Sequence, residues 1–440
     1  MDTTLQDILL LADWNTRVVV IGTMLLGAAA GVAGTFLVLR KRALLADAVS
    51  HCMLPGVVIG FMVMQSFGGS GKSLVGLLIG AAIAGLATAW MVPVLRRATR
   101  LRDDAIMGVL LGGGFGLGIA LLSIAQGLPG GNQAGLETFI FGKTASMVHS
   151  DAIGIAVVAL LTLLVGVGMA KEFRLLCFDE SFAAVIGRRV GLIDGLLMML
   201  AVTVVVIGLQ SVGLILVIAL LIIPAAAARF WTYSFLKMVM ISALIGAGAC
   251  WLGASISAAA PRLPAGAIIV LTLGVFFAVS MIFGIRGGGV RRWWAAARLK
   301  HRTEQHHLLR AFFEAQEATG RAELSIDDLV ATRHWRTAVV RRLLRSGVRS
   351  GHVAESANGS WRLTGVGQLE ADRVVRNHRL WEIYLIEHAD IAASHVDRDA
   401  DLVEHVLGDA LVAELEKALH KRGRMVPSPH VIAVDAGLQP

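Results

Sequence analysis

The chain has 440 residues, a formal net charge of +8, a mean hydropathy of +0.70 and a hydrophobic fraction of 56%. This composition excludes an ordinary soluble globular protein and indicates a membrane protein. Charged residues make up 16% of the chain and are distributed very unevenly, with a polar segment from residue 286 onwards. The sequence therefore predicts two parts, an apolar N-terminal part in the membrane and a polar C-terminal part.

Nine apolar stretches in the N-terminal part are long enough, or nearly so, to cross a bilayer as helices. They are rich in Gly and Ala, and Gly-x-x-x-Gly spacings such as 27–31, 76–80 and 112–116 favour close helix packing. We therefore predict an all-α polytopic membrane fold. The predicted spans are residues 17–39, 43–67, 73–95, 104–126, 148–170, 190–209, 211–230, 237–258 and 264–284.

Lysines and arginines in the loops predict the orientation of these spans. With nine spans, the loops on one side carry thirteen of these residues and the loops on the other side carry four. Short cytoplasmic loops are enriched in Lys and Arg, so the thirteen mark the cytoplasmic side. The chain is thus predicted to be a multi-pass protein of the cytoplasmic (inner) membrane, with its C-terminal part in the cytoplasm.

The second span begins with two ionisable side chains, Asp47 and His51, whose spacing of four residues puts them on one helical face. An ionisable residue at membrane depth is costly and commonly lines a substrate path or has a buried partner. A carboxylate oxygen together with an imidazole nitrogen suits a divalent transition metal. The alternative interpretation is a capped helix start with a satisfied buried pair, and the residue types alone do not decide between the two.

The cytoplasmic loop at 171–191 contains a predicted short helix. Asp179 can cap this helix and Gly187 can end it. An apolar stripe on an exposed helix is typical of a docking site for a partner, and the alternative is an amphipathic helix lying on the bilayer surface. The predicted stripe consists of Phe178, Phe182, Val185 and Ile186.

Residues 17–285 contain four characteristic motifs in order. They are Leu-Arg-Lys-Arg-Ala-Leu-Leu-Ala-Asp-Ala-Val-Ser-His-Cys-Met-Leu-Pro-Gly (39–56), Phe-Ile-Phe-Gly (139–142), Phe-Asp-Glu-Ser-Phe-Ala-Ala-Val-Ile-Gly (178–187) and Val-Gly-Leu-Ile-Leu-Val-Ile-Ala-Leu-Leu-Ile-Ile-Pro-Ala-Ala-Ala-Ala-Arg (212–229). With these motifs the segment resembles the permeases of ABC transporters that import manganese, zinc or iron.

The resemblance implies that Asp47 and His51 belong to the metal path. It implies that 178–187 is the coupling helix that meets a separate ATPase subunit, through Phe178, Asp179, Phe182, Ile186 and Gly187. It also implies an extracytoplasmic metal-binding protein and a second permease copy or paralogue.

ATP hydrolysis is assigned to another subunit. The stretch Gly-Gly-Ser-Gly-Lys-Ser at 68–73 lacks the first glycine of a phosphate-binding loop, because residue 66 is serine. We therefore predict a transport subunit and not an enzyme. The predicted cargo is Mn²⁺, with Fe²⁺ and then Zn²⁺ as alternatives.

The polar part is predicted to follow a transmembrane domain of residues 1–290 and a linker at 291–302. Residues 303–372 predict a winged helix-turn-helix, with a hairpin around Asn358-Gly359. Arginines on its second short helix would contact phosphates of DNA or form a solvated or membrane-facing surface. Residues 373–440 are predicted to form a helical metal-binding and dimerisation domain.

Metal-ligand side chains recur at helical spacing in this last segment. Carboxylates and imidazoles without thiolate favour manganese or iron(II), although a surface helix also carries such residues by chance. The stretches Asn-His-Arg-Leu-Trp-Glu (377–382) and Ala-Asp-Leu-Val-Glu-His-Val-Leu (400–407) resemble the diphtheria-toxin-repressor class of metalloregulators. The resemblance implies a regulatory metal bound by His378, Asp401, Glu404 and His405, with Glu382 in an ancillary site.

The first helix of this second family also supplies ligands, and here the matching positions hold His307 and Arg310. An arginine has only donors and cannot bind a metal, so the predicted primary site is incomplete or altered. A competing hypothesis makes the chain a membrane-anchored, metal-dependent transcription regulator with DNA as its partner. Nine Gly-rich helices are far more than an anchor needs, which favours a permease whose tail senses metal and regulates transport.

Overall fold

The computed structural model describes residues 14–67, 73–127, 142, 144, 147–259, 263–356 and 358–388, and for 381–388 it describes the backbone alone. The chain divides into two units, Met1–Arg292 and Trp293–Pro440. In the described part of the first unit, all of the regular secondary structure is helical. Its helices are α1 (Trp14–Leu39), α2 (Ala43–Ser66), α3 (Leu74–Ala98), α4 (Asp103–Gln126), α5 (His149–Gly168), α6 (Ala170–Phe178), α7 (Glu180–Val185), α8 (Val190–Val212), α9 (Leu214–Ala228), α10 (Phe235–Ala259) and α11 (Ala265–Phe283), and α12 (Gly289–Thr319) begins at its end.

Each predicted span coincides with one of these helices, and the prediction of an all-α polytopic fold is confirmed. Among the described residues, eight helices are long and apolar enough to cross a membrane, and these are α1 to α5, α8, α10 and α11. The remaining predicted span, 211–230, corresponds to α9, which is apolar but has only 15 residues. A helix of this size is roughly 23 Å long. Gly213, with a φ of +83°, separates α8 from α9 and lets the chain turn there without a Cβ clash.

Asp47 and His51, the predicted metal-path residues, lie on an interior helix. About three quarters of the apolar stretches of α1 (78%) and α2 (72%) are buried, against 22% for α4 and 17% for α11. Helix α1 packs against α5, α9 and α10, and α2 packs against α3 and α4. Helices α1 and α2 are therefore held in the interior by packing against several neighbouring helices.

Glycines set the closest helix contacts. A Cβ atom on Gly56 of α2 would overlap the carbonyl of Gly80 on α3, and one on Gly80 would overlap the carbonyl of Gly56. The same reciprocal contact joins Gly27 of α1 to Gly246 of α10. Small residues allow this backbone approach. By contrast, no described atom of a neighbouring segment lies within 4 Å of a Cβ built at 112 or 116.

The second unit contains the rest of α12, α13 (Ile326–Arg333), α14 (Thr337–Arg349), β1 (Val353–Glu355), β2 (Trp361–Leu363) and α15 (Gly365–His388). Residues 291–302, predicted as a linker, are part of α12. The predicted hairpin is present: β1 and β2 pair antiparallel, with Val353 opposite Leu363. Leu308, Phe312, Leu329, Leu344 and Val353 belong to the buried core of this winged helix-turn-helix.

Two acidic side chains fix local structure in this unit. At the start of α13 the Ser325 backbone N–H donates to Asp328 (2.8 Å), and the Asp328 N–H donates to the Ser325 hydroxyl (3.2 Å), which forms a capping box. Glu323 accepts from Ser360 (2.7 Å) and Ser356 (2.8 Å), on the two sides of the hairpin turn. These hydrogen bonds to the carboxylates lower the pKa of Asp328 and of Glu323.

Candidate metal path and coupling surface

Asp47 and His51 lie one turn apart near the start of α2, as their spacing predicts. The Nε2 atom of His51 is 3.3 Å from Oδ1 of Asp47, and the two side chains are 19% and 28% exposed, respectively. The pair is therefore in contact and partly open to the surface of the single chain. An ion that reached it would meet one oxygen and one nitrogen ligand.

The surroundings of His51 leave one ring nitrogen without a described partner. Its ring meets the ring of Phe115 on α4 edge to face, with centroids 4.8 Å apart. The Nδ1 atom is buried, and no hydrogen-bond partner for it is found among the described residues. Buried polar atoms in proteins are nearly always paired, and an exception calls for an explanation.

Pro55 removes a backbone hydrogen bond from the turn of α2 that contains His51. Proline has no N–H, so it cannot donate to the carbonyl of His51, four residues earlier. The turn thus combines a carboxylate, an imidazole and a backbone carbonyl that lacks its helical donor. Within the described part of the chain, no group of three or more His, Cys, Asp or Glu side chains is arranged to hold a metal ion.

The predicted short helix within 178–187 is present as α7, which covers Glu180–Val185, whereas Phe178 is the last residue of α6. The Asp179 carboxylate accepts from the Phe182 N–H (2.8 Å) and caps the helix, while Gly187 follows it with a φ of +78°. The side chains of the apolar stripe are not buried within this chain. The exposed fractions are 66% for Phe178, 53% for Phe182, 83% for Val185 and 49% for Ile186.

Four charged side chains, Arg40, Arg42, Glu180 and Asp194, form what we call the ion cluster. Arg40 donates to Glu180 (2.9 Å), which is the first residue of α7, and to the carbonyl of Leu176 near the end of α6 (2.9 Å). It also donates to Asp194 on α8 (3.0 Å). Arg40 therefore joins the segment around the coupling helix to α8.

Arg42 extends the ion cluster to the start of α2, the helix that carries Asp47 and His51. It immediately precedes α2 and donates to both carboxylate oxygens of Asp194, at 3.0 and 2.9 Å. The Arg40 and Arg42 side chains are 7% and 8% exposed, and Asp194 is 19% exposed. The sequence patterns used the two arginines for orientation and as part of the 39–56 motif, and they did not select Asp194. An acid in the second turn of an apolar span was a usable signal.

In the second unit, the predicted ligand His378 is 2% exposed and lies against an arginine. Nη1 of Arg310 is 2.9 Å from Nδ1 of His378. Nε of Arg310 donates to Glu314 (2.7 Å), and Arg333 donates to the same carboxylate oxygen (2.9 Å). These described residues do not fit a metal ion at His378, because a guanidinium takes up one of its ring nitrogens.

The other predicted ligands of the tail are not part of this geometry. The side chain of Glu382 is not described, since only the backbone is given there. Asp401, Glu404 and His405 lie outside the described residues. Their role as ligands stays a prediction.

The fold and these sites define the class of the protein: a polytopic helical membrane permease with a winged-helix C-terminal unit. The model of the ABC 3 transport family matches residues 13–284, and the chain belongs to this family. The model described as "Iron dependent repressor, metal binding and dimerisation domain" matches residues 364–430. Both resemblances drawn from the sequence motifs are thereby confirmed.

Curated relatives and a solved structure extend the comparison. The manganese transport system membrane protein MntC of Bacillus subtilis (strain 168) is 34% identical over 385 residues, which covers 88% of this chain and 87% of MntC. The zinc transport system membrane protein TroC of Treponema pallidum (strain Nichols) is 38% identical over 294 residues, covering 66% and 96%. The structure "PsaBC from Streptococcus pneumoniae in complex with Fab" is 30% identical, with a TM-score of 0.56, and the match covers 65% of this chain and 97% of that one.

Proposed function

We propose that this chain is the permease subunit of an ATP-driven importer of a divalent transition metal, with Mn²⁺ as the first candidate, then Fe²⁺ and Zn²⁺. The observation that carries the proposal is the contact between Asp47 and His51 on an interior apolar helix. The printed names of two relatives support a divalent metal, since one names manganese and the other zinc.

The geometry of the pair supports a single bound ion. With metal–ligand distances of about 2.1 Å, two ligand atoms 3.3 Å apart subtend an angle of about 100° at the ion. This angle lies between octahedral and tetrahedral values, so it suits all three candidate ions. The preference for Mn²⁺ rests on ligand hardness: the neighbouring Cys52 thiol donates to the carbonyl of Leu110 (3.1 Å), which leaves the ligand pair free of sulfur.

One chain supplies two side-chain ligands, and we propose that water or the same pair from a second permease copy or paralogue completes the shell. A permeation site must hold its ion strongly enough to replace lost water and weakly enough to release it. A site with two protein ligands per chain meets this requirement. An extracytoplasmic metal-binding protein is the proposed source of the ion.

Coupling to ATP is proposed to run through α7. Its exposed apolar stripe suits a groove on a separate ATPase subunit, because an apolar surface of this kind gains free energy when it is covered. The ion cluster connects the start of α7 to Asp194 and Arg42, next to the start of α2. A displacement of α7 would therefore be passed to the helix that carries Asp47 and His51.

The second unit is proposed to lie in the cytoplasm and to regulate transport. The match to a repressor metal-binding and dimerisation domain supports a regulatory role. The DNA-binding alternative has its own supporting observation, since α14 buries Val340 and Leu344 and exposes Arg341 and Arg342. Metal-dependent retardation of DNA by the full chain, with uptake unaffected by loss of the tail, would favour that alternative.

Uptake measurements test the proposal. The chain is reconstituted with its ATPase subunit and binding protein in liposomes, and ATP-dependent entry of Mn²⁺ is measured against competing Fe²⁺ and Zn²⁺. We expect saturable uptake in which Mn²⁺ is the best competitor. If Zn²⁺ competes best, the choice of cargo is wrong, and if no divalent metal enters in an ATP-dependent way, the transport proposal is wrong.

A further inference from the structure

The contact between Arg310 and His378 joins two distant segments inside the second unit. Arg310 lies on α12 with its side chain 9% exposed, and His378 lies on α15 and is 2% exposed. Their nitrogen atoms, Nη1 and Nδ1, are 2.9 Å apart. The residues are 68 positions apart in the sequence. A buried charge in such a place requires partners that stabilise it.

The chemistry of the two side chains fixes the direction of the hydrogen bond. A guanidinium has only donors, so Nδ1 of His378 is the acceptor and offers its lone pair to Arg310. In the neutral ring the proton then lies on Nε2. A metal ion binds an imidazole nitrogen through the same kind of lone pair. While Arg310 is in place, neither ring nitrogen is available as a ligand.

The described charges around His378 also disfavour a further cation. Arg310 and Arg333 both donate to Oε1 of Glu314, at 2.7 and 2.9 Å. A divalent cation beside the Arg310 guanidinium would meet a like charge at short range. The nearby Arg379 is paired with Glu317 (3.2 Å) and lies over the ring of Phe313.

We infer that Arg310 supplies, as a permanent guanidinium, the positive charge that the family resemblance assigns to a regulatory metal at His378. The α12–α15 contact is therefore formed without metal. Any response of the tail to metal would depend on residues other than His378. This inference concerns the tail alone and does not depend on whether Asp47 and His51 carry the transported ion.

Hydrogen–deuterium exchange of the full chain in detergent tests it, with EDTA or millimolar MnCl₂ as the two conditions. For the wild type we expect the same protection of residues 305–319 and 365–380 in both conditions. Arg310→Met should speed their exchange roughly ten- to a hundredfold in both conditions, because a hydrogen bond to a charged group is lost. Arg310→Lys keeps the charge and should remain insensitive to Mn²⁺.

Arg310→Glu gives the decisive comparison. It places a carboxylate beside His378, so protection that is lost in EDTA should return with MnCl₂. Arg349→Glu is the matched control, because Arg349 is exposed at the end of α14, and it should show no response to metal. Protection of the wild type by Mn²⁺ that His378→Ala removes would overturn the inference. So would a metal response of Arg310→Lys as large as that of Arg310→Glu.

Discussion

Asp194 is the carboxylate that the two arginines of the ion cluster share. It accepts from Arg40 through one oxygen and from Arg42 through both. Both arginine side chains are largely withdrawn from water. Removal of the shared carboxylate would leave Arg40 with Glu180 and would take from Arg42 its described carboxylate partner. Arg40, which contacts α7, and Arg42, which precedes α2, are thus connected through the carboxylate of Asp194.

Asp194→Asn should uncouple the transporter. The amide keeps the size of the side chain but removes its charge, with a cost on the order of 2 kcal/mol for the weakened charged hydrogen bonds. We expect ATP hydrolysis to continue while metal uptake per ATP falls. The measurement is the ratio of the two rates in liposomes.

Asp103→Asn is the matched control for that experiment, because Asp103 forms an exposed ion pair with Arg96 at 3.7 Å. Its coupling ratio should stay at the wild-type value, since exposed pairs contribute little. A wild-type ratio in Asp194→Asn would show that the ion cluster is only structural.

Sequence spacing predicted one residue contact and could not predict the others. Asp47 and His51 are neighbours on a helix, so a local rule brings them together. Arg40 and Asp194 are 154 positions apart, and Arg310 and His378 are 68 positions apart. Such pairs depend on how helices pack, which the periodicity of a single helix does not encode.

At the scale of elements, the coupling helix gives the clearest prediction. Phe182→Asp should abolish coupling, because the new charge would be buried in an apolar groove of the ATPase subunit. Phe67→Asp is the control, since Phe67 is 87% exposed and ends α2 away from α7. The measurements are co-purification with the ATPase and uptake per ATP. Unchanged binding and coupling in Phe182→Asp would mean that α7 lies on the bilayer instead.

Close helix packing makes a second prediction at this scale. Gly80→Val should destabilise the chain in detergent by several degrees in Tm, because its side chain would meet the backbone of Gly56. Gly112→Val should leave Tm nearly unchanged, since no described neighbour lies within 4 Å of that position. Equal Tm values for the two variants would contradict the α2–α3 contact.

The sequence predicted where helices occur better than which of their faces meet. Apolar length located the spans, because the bilayer imposes it. Three Gly-x-x-x-Gly spacings predicted close helix contacts. Gly27 and Gly80 lie against the backbone of a neighbouring helix, whereas the glycines at 112 and 116 have no such contact among the described residues. A helix that is apolar all round carries little information on which face is buried. The predicted linker at 291–302 is helical because nothing in Arg-Trp-Trp-Ala-Ala-Ala-Arg (292–298) breaks a helix.

For the whole molecule, two units of different chemistry are joined in one chain. The first belongs to the ABC 3 transport family and carries the proposed ligand pair, the ion cluster and the proposed coupling helix. The second combines a winged helix-turn-helix with a match to a repressor metal-binding domain. In this tail the Arg310 guanidinium hydrogen-bonds a ring nitrogen of His378. Relatedness to a metal sensor therefore does not by itself show that the sensor's metal ligands are kept.

The central claim is that the ion crosses the membrane by way of Asp47 and His51. The most direct measurement is ATP-dependent Mn²⁺ uptake by the assembled transporter carrying Asp47→Asn together with His51→Ala, with ATPase co-purification as the check on assembly. The account predicts that assembly is retained and uptake is lost, because both ligand side chains of the chain are removed. Uptake close to that of the wild type in the double variant would contradict it.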